Sequence, residues 1–231
     1  MSRPRLLDLF CCEGGAAVGY DRAGFEVVGV DLEGRFKKRY PFEFHQGDAL
    51  EFVKEHGHEF DAIHASPPCQ RYSITNAARK HDYPDLVGPT RDALKATGKP
   101  YVIENVVGAP LEDPVTLCWT QFFAPGSVKD DDGTPLQMFR HRLFESNVYV
   151  YEPACAHAPG VQVAGSYGGA RKDKHEARHV RHGGYVPSKE VQQELLGIDW
   201  MTLHGMFQSL PPIYTEHVGD FLLRSNLEIT G

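Results

Sequence analysis

The chain has 231 residues, 41% hydrophobic and 24% charged, with a formal net charge of −7. That is room for one good-sized domain of ordinary soluble composition, and the acidic balance is not that of a dedicated nucleic-acid-binding module, although local basic patches remain compatible with it. No apolar run approaches the roughly 18 residues needed to span a bilayer. The start, Met1 to Arg5, runs into a strand without a signal-peptide core. Five cysteines, an odd count that includes the neighbours Cys11 and Cys12, suit a reducing cytoplasm better than a disulfide framework.

The first half alternates strands and helices. Leu6–Phe10 is a predicted strand, and Gly14–Ala23 a turn running into a helix. Phe25–Val30 is a second strand ending at Asp31, and Phe42–His45 a short third one. A helix over Ala49–His56 and a buried strand over Phe60–Ala65 follow. A helix over Pro89–Thr97 and a strand over Tyr101–Glu104 complete the run. This is the pattern of a doubly wound, Rossmann-like α/β sheet.

Beyond Pro110 the signal is irregular. Asp130–Pro135 is an acidic turn, and Arg142–Val150 returns to strand character. The segment 152–187 is rich in Gly, His, Arg and Lys and poor in large apolar residues. Ser188 opens a helix over Lys189–Leu196. Pro211-Pro212 is expected to break the chain before a last helix over Thr215–Arg224. The expected organisation is a catalytic domain over 1–150, a small irregular insertion over 151–187, and C-terminal helices over 188–231 that return to the catalytic domain.

Pro67-Pro68-Cys69-Gln70 is the chemically loudest element. The two prolines fix φ and admit no helix, so Cys69 is held rigidly off a strand end. Open α/β sheets bind their ligands at that edge. Glycines between a strand and a helix, at Gly14-Gly15, let backbone N–H groups approach a ligand. Asp31, about 20 residues on, is suited to ribose hydroxyls, and Asp48 ends the third strand. A glycine turn with two acidic strand ends suits a nucleoside without phosphate charge, such as S-adenosylmethionine. Glu104, at the end of an apolar strand, is expected to be desolvated and protonated near neutral pH.

Asp8-Leu9-Phe10 with Gly14-Gly15, Pro67-Pro68-Cys69-Gln70, Glu104-Asn105-Val106 and Arg140-His141-Arg142 resemble, in order and spacing, motifs of the cytosine-5 DNA methyltransferases. The resemblance covers roughly residues 5–145. It implies a methyltransferase of Rossmann-like fold that uses S-adenosylmethionine to methylate a cytosine flipped out of double-stranded DNA. It assigns Cys69 as the thiolate that adds to C6, Glu104 to N3, Arg142 to O2, and Arg140 as support or phosphate contact. Phe10, Glu13, Gly14, Gly15, Asp31, Leu32, Asp48, Ala49, Pro67 and Tyr214 become cofactor contacts. Gln70 to about Tyr83 becomes a mobile loop closing over the base, with Gln70, Arg71 and Ser73 on the substrate.

The chain departs from the family pattern in two places. The recognition region is reduced to the segment 152–187, where Arg171 and Lys172 are candidate DNA contacts. The usual C-terminal Gly-Asn-Ser-Val signature is replaced by the stretch from Gln208 to Thr215. Both features resemble compact methyltransferases carried by phages. Cys155-Ala156-His157 lacks a C-x-x-C partner, so no metal site is expected. Three alternatives stand beside this reading. They are cytosine-5 methylation of tRNA or of a free nucleotide, an amino methyltransferase with a strand-end Pro-Pro motif, and an inactive DNA-binding or antirestriction module.

Overall fold

The structure is a computed structural model and describes residues 2–72, 82–166 and 185–229. The strands are β1 (Arg5–Leu9), β2 (Glu26–Asp31), β3 (Glu43–Gln46), β4 (Ala62–Ala65), β5 (Tyr101–Asn105), β6 (Val115–Leu117), β7 (Val128–Lys129), β8 (Pro135–Met138), β9 (Arg142–Ser146) and β10 (Gln162–Ala164). The helices are α1 (Gly15–Ala23), α2 (Ala49–His56), α3 (Val87–Thr97), α4 (Lys189–Leu196), α5 (Leu203–Gln208) and α6 (Pro212–Ile229). Seven strands form the main sheet in the order β3-β2-β1-β4-β5-β9-β6, and three form a second sheet, β10-β8-β7. β1 to β5 pair in parallel, whereas β9 pairs antiparallel with both β5 and β6.

Strand alternation explains the layers. Leu6 enters a cluster with Tyr20, Phe25, Tyr214 and Val218, while Leu7 and Leu9 enter one with Val28, Val53, Ile63 and Leu94. α1 and α6 therefore cover one face of the main sheet, and α2 and α3 the other. β4 is buried at all of its positions, as a central parallel strand covered on both faces should be. α1 and α6 lie so close that a Cβ on Gly19 would stand 2.1 Å from the Pro212 carbonyl oxygen.

Four differences from the sequence reading have physical reasons. The expected break falls at residues 209–211, and α6 starts already at Pro212, not Thr215, because the fixed φ of proline suits a first helical position. α3 begins at Val87, two residues ahead of Pro89, which the first helical turn tolerates. α5 was not anticipated; it is short, holds Gly205, and is started by the Thr202 side chain accepting from the Gly205 N–H at 2.9 Å. The small lobe has an apolar core of its own, built from Trp119, Val128, Leu136, Met138, Ala164, Tyr185, Val191 and Leu195. That core draws on residues from both sides of position 150, while β9 belongs to the main sheet, so the lobes interleave in sequence.

Candidate active site

The register of the main sheet assembles the site. Val30 and Ala65 flank Leu9, and Ile103 flanks Ala65, so these residues form one row across four parallel strands. The residues one step further on are Asp31, Phe10, Ser66 and Glu104. They emerge together at the carboxyl edge, on either side of the point where the chain reverses its winding between β1 and β4. Open α/β sheets hold their ligands at such a point. β9 runs the other way, so its first residue, Arg142, arrives at the same edge. Glu104 pairs with Phe144, two residues from Arg142 on β9, so Arg142 and Glu104 are diagonal neighbours on one face.

Arg142 Nε lies 3.3 Å from Glu104 Oε1, and Arg142 Nη1 donates to the His141 carbonyl at 2.9 Å. Burial pushes the Glu104 carboxyl above its usual range, and Arg142 only partly opposes this. Burial, and then the Glu104 charge, likewise push the Cys69 thiol up, with Arg142 pulling the other way. Cys69 feels the charges of both Glu104 and Arg142, and Glu104 that of Arg142. Asn105 Nδ2 donates to the Pro67 carbonyl at 2.9 Å, which anchors the proline turn to the end of β5. The Glu-Asn and Pro-Pro-Cys motifs are therefore parts of one device.

On the other side of the switch point, the turn after β1 has positive φ at Phe10 (59°), Cys12 (48°) and Gly14 (86°). Two of these are non-glycine residues in a costly conformation, a feature that concentrates at functional sites. A Cβ on Gly15 would stand 2.6 Å from the Leu210 carbonyl oxygen, so this glycine serves the close return of the C-terminal segment. No side chain caps the N-terminus of α1, which leaves its first N–H groups to other acceptors. Asp31 ties this loop to the next by accepting from Cys12 N at 3.0 Å and Glu33 N at 2.9 Å. Leu32 beside it is 69% exposed, unusual for a large apolar residue. Asp48 accepts from Leu50 N and Glu51 N through Oδ1, capping α2 and leaving Oδ2 without a partner among the described residues. Ala49 is buried as the first residue of that helix.

Residues 4–108, the span that carries the β1 turn, the Pro-Pro-Cys-Gln turn and Glu104-Asn105, match the sequence model of the C-5 cytosine-specific DNA methylases. Over these residues the chain is similar to that family. Its fold is similar to that of a DNA modification methyltransferase encoded within an E. coli prophage (14% identity, TM-score 0.60, covering 97% of this chain and 99% of that one). It is also similar to the S. pombe Dnmt2 methyltransferase (12%, TM-score 0.61, 96% and 99%). A third likeness is to the Entamoeba histolytica methyltransferase EhMeth (11%, TM-score 0.57, 97% and 99%). At such identities the likeness is one of fold. No curated protein matches the sequence.

Several of the expected site residues have protein partners of their own. Arg140, expected to support the base or bind phosphate, is buried. Its Nη2 donates to the carbonyls of Ser209 at 2.6 Å, Phe207 at 3.1 Å and Met206 at 3.4 Å, at the carboxyl end of α5. A cation there complements the helix dipole, so Arg140 fastens the C-terminal segment to the start of β9. Tyr214, expected at the cofactor, has no exposed surface and donates its hydroxyl to the Arg140 carbonyl at 2.8 Å. Its contact is with protein because it sits between α6 and the sheet. Glu13 is also committed to protein, accepting from Thr202 N at 2.7 Å and Thr202 Oγ1 at 2.8 Å. Arg71 donates to the Tyr83 carbonyl at 2.6 Å, and the Tyr72 hydroxyl bonds Asp85. These contacts join the two ends of the expected loop. Gln70 is exposed beside Cys69, and Pro67 is part of the turn. Ser73, Arg171 and Lys172 lie outside the described residues.

The motif reading missed what stands behind Glu104. Ser66 hydrogen-bonds its carboxyl, His64 Nε2 lies 2.9 Å from Ser66 Oγ, and the Tyr20 hydroxyl lies 2.9 Å from His64 Nδ1. Burial lowers the His64 pKa to about 3, so this imidazole is neutral. The signal was available: a histidine in an otherwise apolar central strand must find partners.

Proposed function

We propose that this chain transfers a methyl group from S-adenosylmethionine to C5 of a cytosine in double-stranded DNA, with Cys69 as covalent nucleophile. The observation that carries the reading is the convergence of Cys69, Glu104 and Arg142 at the carboxyl edge beside the switch point. Cytosine C5 is a poor nucleophile until C6 is attacked. The Cys69 thiol gives up its proton, sulfur bonds to C6, and the C5–C6 π pair moves onto C5. A protonated Glu104 holds N3, so negative charge does not accumulate on the ring. Arg142 Nη2, without a partner among the described residues, is available for O2. C5 would then bond to the methyl carbon while the donor sulfur keeps the broken C–S pair, and loss of the C5 proton to solvent re-forms the C5–C6 double bond and expels Cys69 as thiolate. Burial pushes the Cys69 thiol up, so docking of the base has to assist loss of its proton.

The residues across the switch point fit the cofactor. S-adenosylmethionine supplies an electrophilic methyl group when bound. Asp31 suits the ribose hydroxyls, Asp48 Oδ2 the adenine amino group, and Phe10, Leu32, Ala49 and Pro67 the ring and its surroundings. The uncapped start of α1, at Gly14 and Gly15, suits the methionine carboxylate. Glu13 contributes by holding this loop on Thr202. The base must leave the stack at a cost of a few kcal/mol, and Gln70 and Arg71 stand at the rim where a flipped base enters. Among the described residues no helix is long and apolar enough to cross a membrane. A cytoplasmic enzyme working on phage or bacterial DNA suits this chemistry.

The test is incubation with methyl-labelled S-adenosylmethionine and, separately, duplex DNA, tRNA and dCMP, followed by nucleoside mass spectrometry. Label in 5-methyldeoxycytidine from the duplex is expected. Label confined to tRNA or dCMP would overturn DNA as the substrate. Protein that binds the cofactor and labels none of the three would overturn the reaction.

A further inference from the structure

Four side chains that the methyl transfer does not use meet where the two lobes join. Cys118 Sγ lies 3.2 Å from His157 Nε2, and Cys155 Sγ lies 3.6 Å from His141 Nε2. Each residue offers one ligand atom, and the four atoms all lie within 4.8 Å of one another. Around a tetrahedral zinc ion with Zn–S near 2.3 Å and Zn–N near 2.05 Å, neighbouring ligand atoms stand roughly 3.3–3.8 Å apart. The cluster needs only a small contraction to reach that geometry. We propose that Cys118, His141, Cys155 and His157 form a structural zinc site.

The donor set selects the metal. Two thiolates and two imidazoles in tetrahedral array are a zinc set, and four protein ligands leave no open position for catalysis. The surroundings are built to hold the ligands. Thr120 Oγ1 stands 3.5 Å from Cys118 Sγ and accepts from Ala156 N at 3.3 Å. Gln121 Nε2 donates to the Pro153 carbonyl at 2.5 Å. The Gln137 side chain donates to the Ala158 carbonyl at 2.8 Å and accepts from Ala158 N at 3.0 Å. Phe139 stacks on the His157 ring at 4.1 Å. Residues 153–158, which belong to no helix or strand, are thus gripped by side chains on both sides of the Cys-Ala-His triplet. Such outer contacts orient metal ligands and support affinity.

The placement says what the metal does. Cys118 directly follows β6 of the main sheet. His141 stands between β8 of the small sheet and β9 of the main sheet, with Arg142 next to it. Cys155 and His157 sit on the strand-free return toward β10. One ion at these four residues ties the crossing between the lobes together and steadies the strand start that brings Arg142 to Glu104. The inference does not depend on which nucleic acid is methylated.

The experiment uses the full chain purified without chelator from zinc-supplemented cells. Metal content is measured by plasma mass spectrometry, and thermal unfolding is followed before and after chelation. About one zinc per chain is expected. Zinc removal should lower Tm, and added Zn²⁺ should restore it. Cys155→Ser and His157→Gln, both at exposed positions, should lose most of the zinc, stay folded, and show no Tm response to added Zn²⁺. Replacement by Co²⁺ should give the intense visible absorption of a tetrahedral thiolate site. Folded wild-type protein that holds no zinc, with a Tm unmoved by Zn²⁺, would overturn the site. So would equal zinc in the wild type and in the Cys155→Ser/His157→Gln double variant. A Cys118–Cys155 disulfide found by mass spectrometry in metal-free native protein would also overturn it.

Discussion

Cys69 stands at the carboxyl edge of the main sheet beside a carboxyl and a guanidinium, whereas Cys118 stands at the lobe junction beside two imidazoles and a second thiol. Burial acts on both. At Cys69 the Glu104 charge adds to it and the thiol is pushed up. At Cys118 hydrogen bonds from His141, Thr120 and His157 outweigh burial and bring the thiol down to about 6. Acidity alone would therefore nominate Cys118 as the nucleophile. In the proposed reaction the neighbours decide instead, because among the described cysteines Cys69 is the one beside a carboxyl and a guanidinium suited to N3 and O2 of a cytosine.

The contrast breaks first at Cys69. Cys69→Ala should reduce methyl transfer to background, on the order of 10⁶-fold as for other covalent nucleophiles, while isothermal titration still detects S-adenosylmethionine binding. If Cys69→Ala keeps turnover and Cys118→Ala loses it, the two cysteines have been assigned the wrong way round. Glu104→Gln keeps the size and removes the acid. It should lower kcat by about 10²- to 10⁴-fold with the nucleophile intact, and an unchanged kcat would leave N3 without its partner.

Ser66→Ala tests the relay behind Glu104 and should cost less, about 10-fold in kcat. Ser66 pulls the Glu104 pKa down, so its removal should move the matching limb of the pH–rate profile upward. A profile that stays in place would reduce Ser66 to packing. The last effect concerns stability. Burial raises the Asp8 pKa from 3.8 to about 8, against a hydrogen bond from Tyr40. The folded state holds the extra proton, so this stabilisation is complete below the unfolded pKa and is lost as pH rises toward 8. Chemical denaturation should show wild-type stability falling between those pH values, by a few kcal/mol at most. Asp8→Asn should flatten that slope.

How much of this was legible in the sequence follows from how local the signals are. β1, α1, β2, α2, β4 and β5 lie within a residue or two of where alternation, glycine turns and strand-end acids put them. Helix α4 begins after Ser188, whose side chain caps it. That Cys69, Glu104 and Arg142 neighbour one another was readable because short contiguous motifs surround each one. The small lobe was not, because its strands have two to four residues and its core gathers residues from Trp119 to Met206. The carbonyl contacts of Arg140 were not legible because those partners lie 66 to 69 residues away. The cysteine-histidine cluster escaped for the same reason: Cys118 and His157 are 39 residues apart, and the spacing resembles no local metal motif.

The most direct measurement of the central claim uses duplex DNA in which cytosine is replaced by 5-fluorocytosine. Fluorine cannot leave as the C5 proton does, so elimination stalls after methyl transfer and the protein stays bonded to the base. With S-adenosylmethionine present, mass spectrometry should find a covalent protein–DNA adduct whose modified peptide contains Cys69. An enzyme that methylates ordinary DNA yet forms no adduct, or forms it at Cys118, would contradict the account.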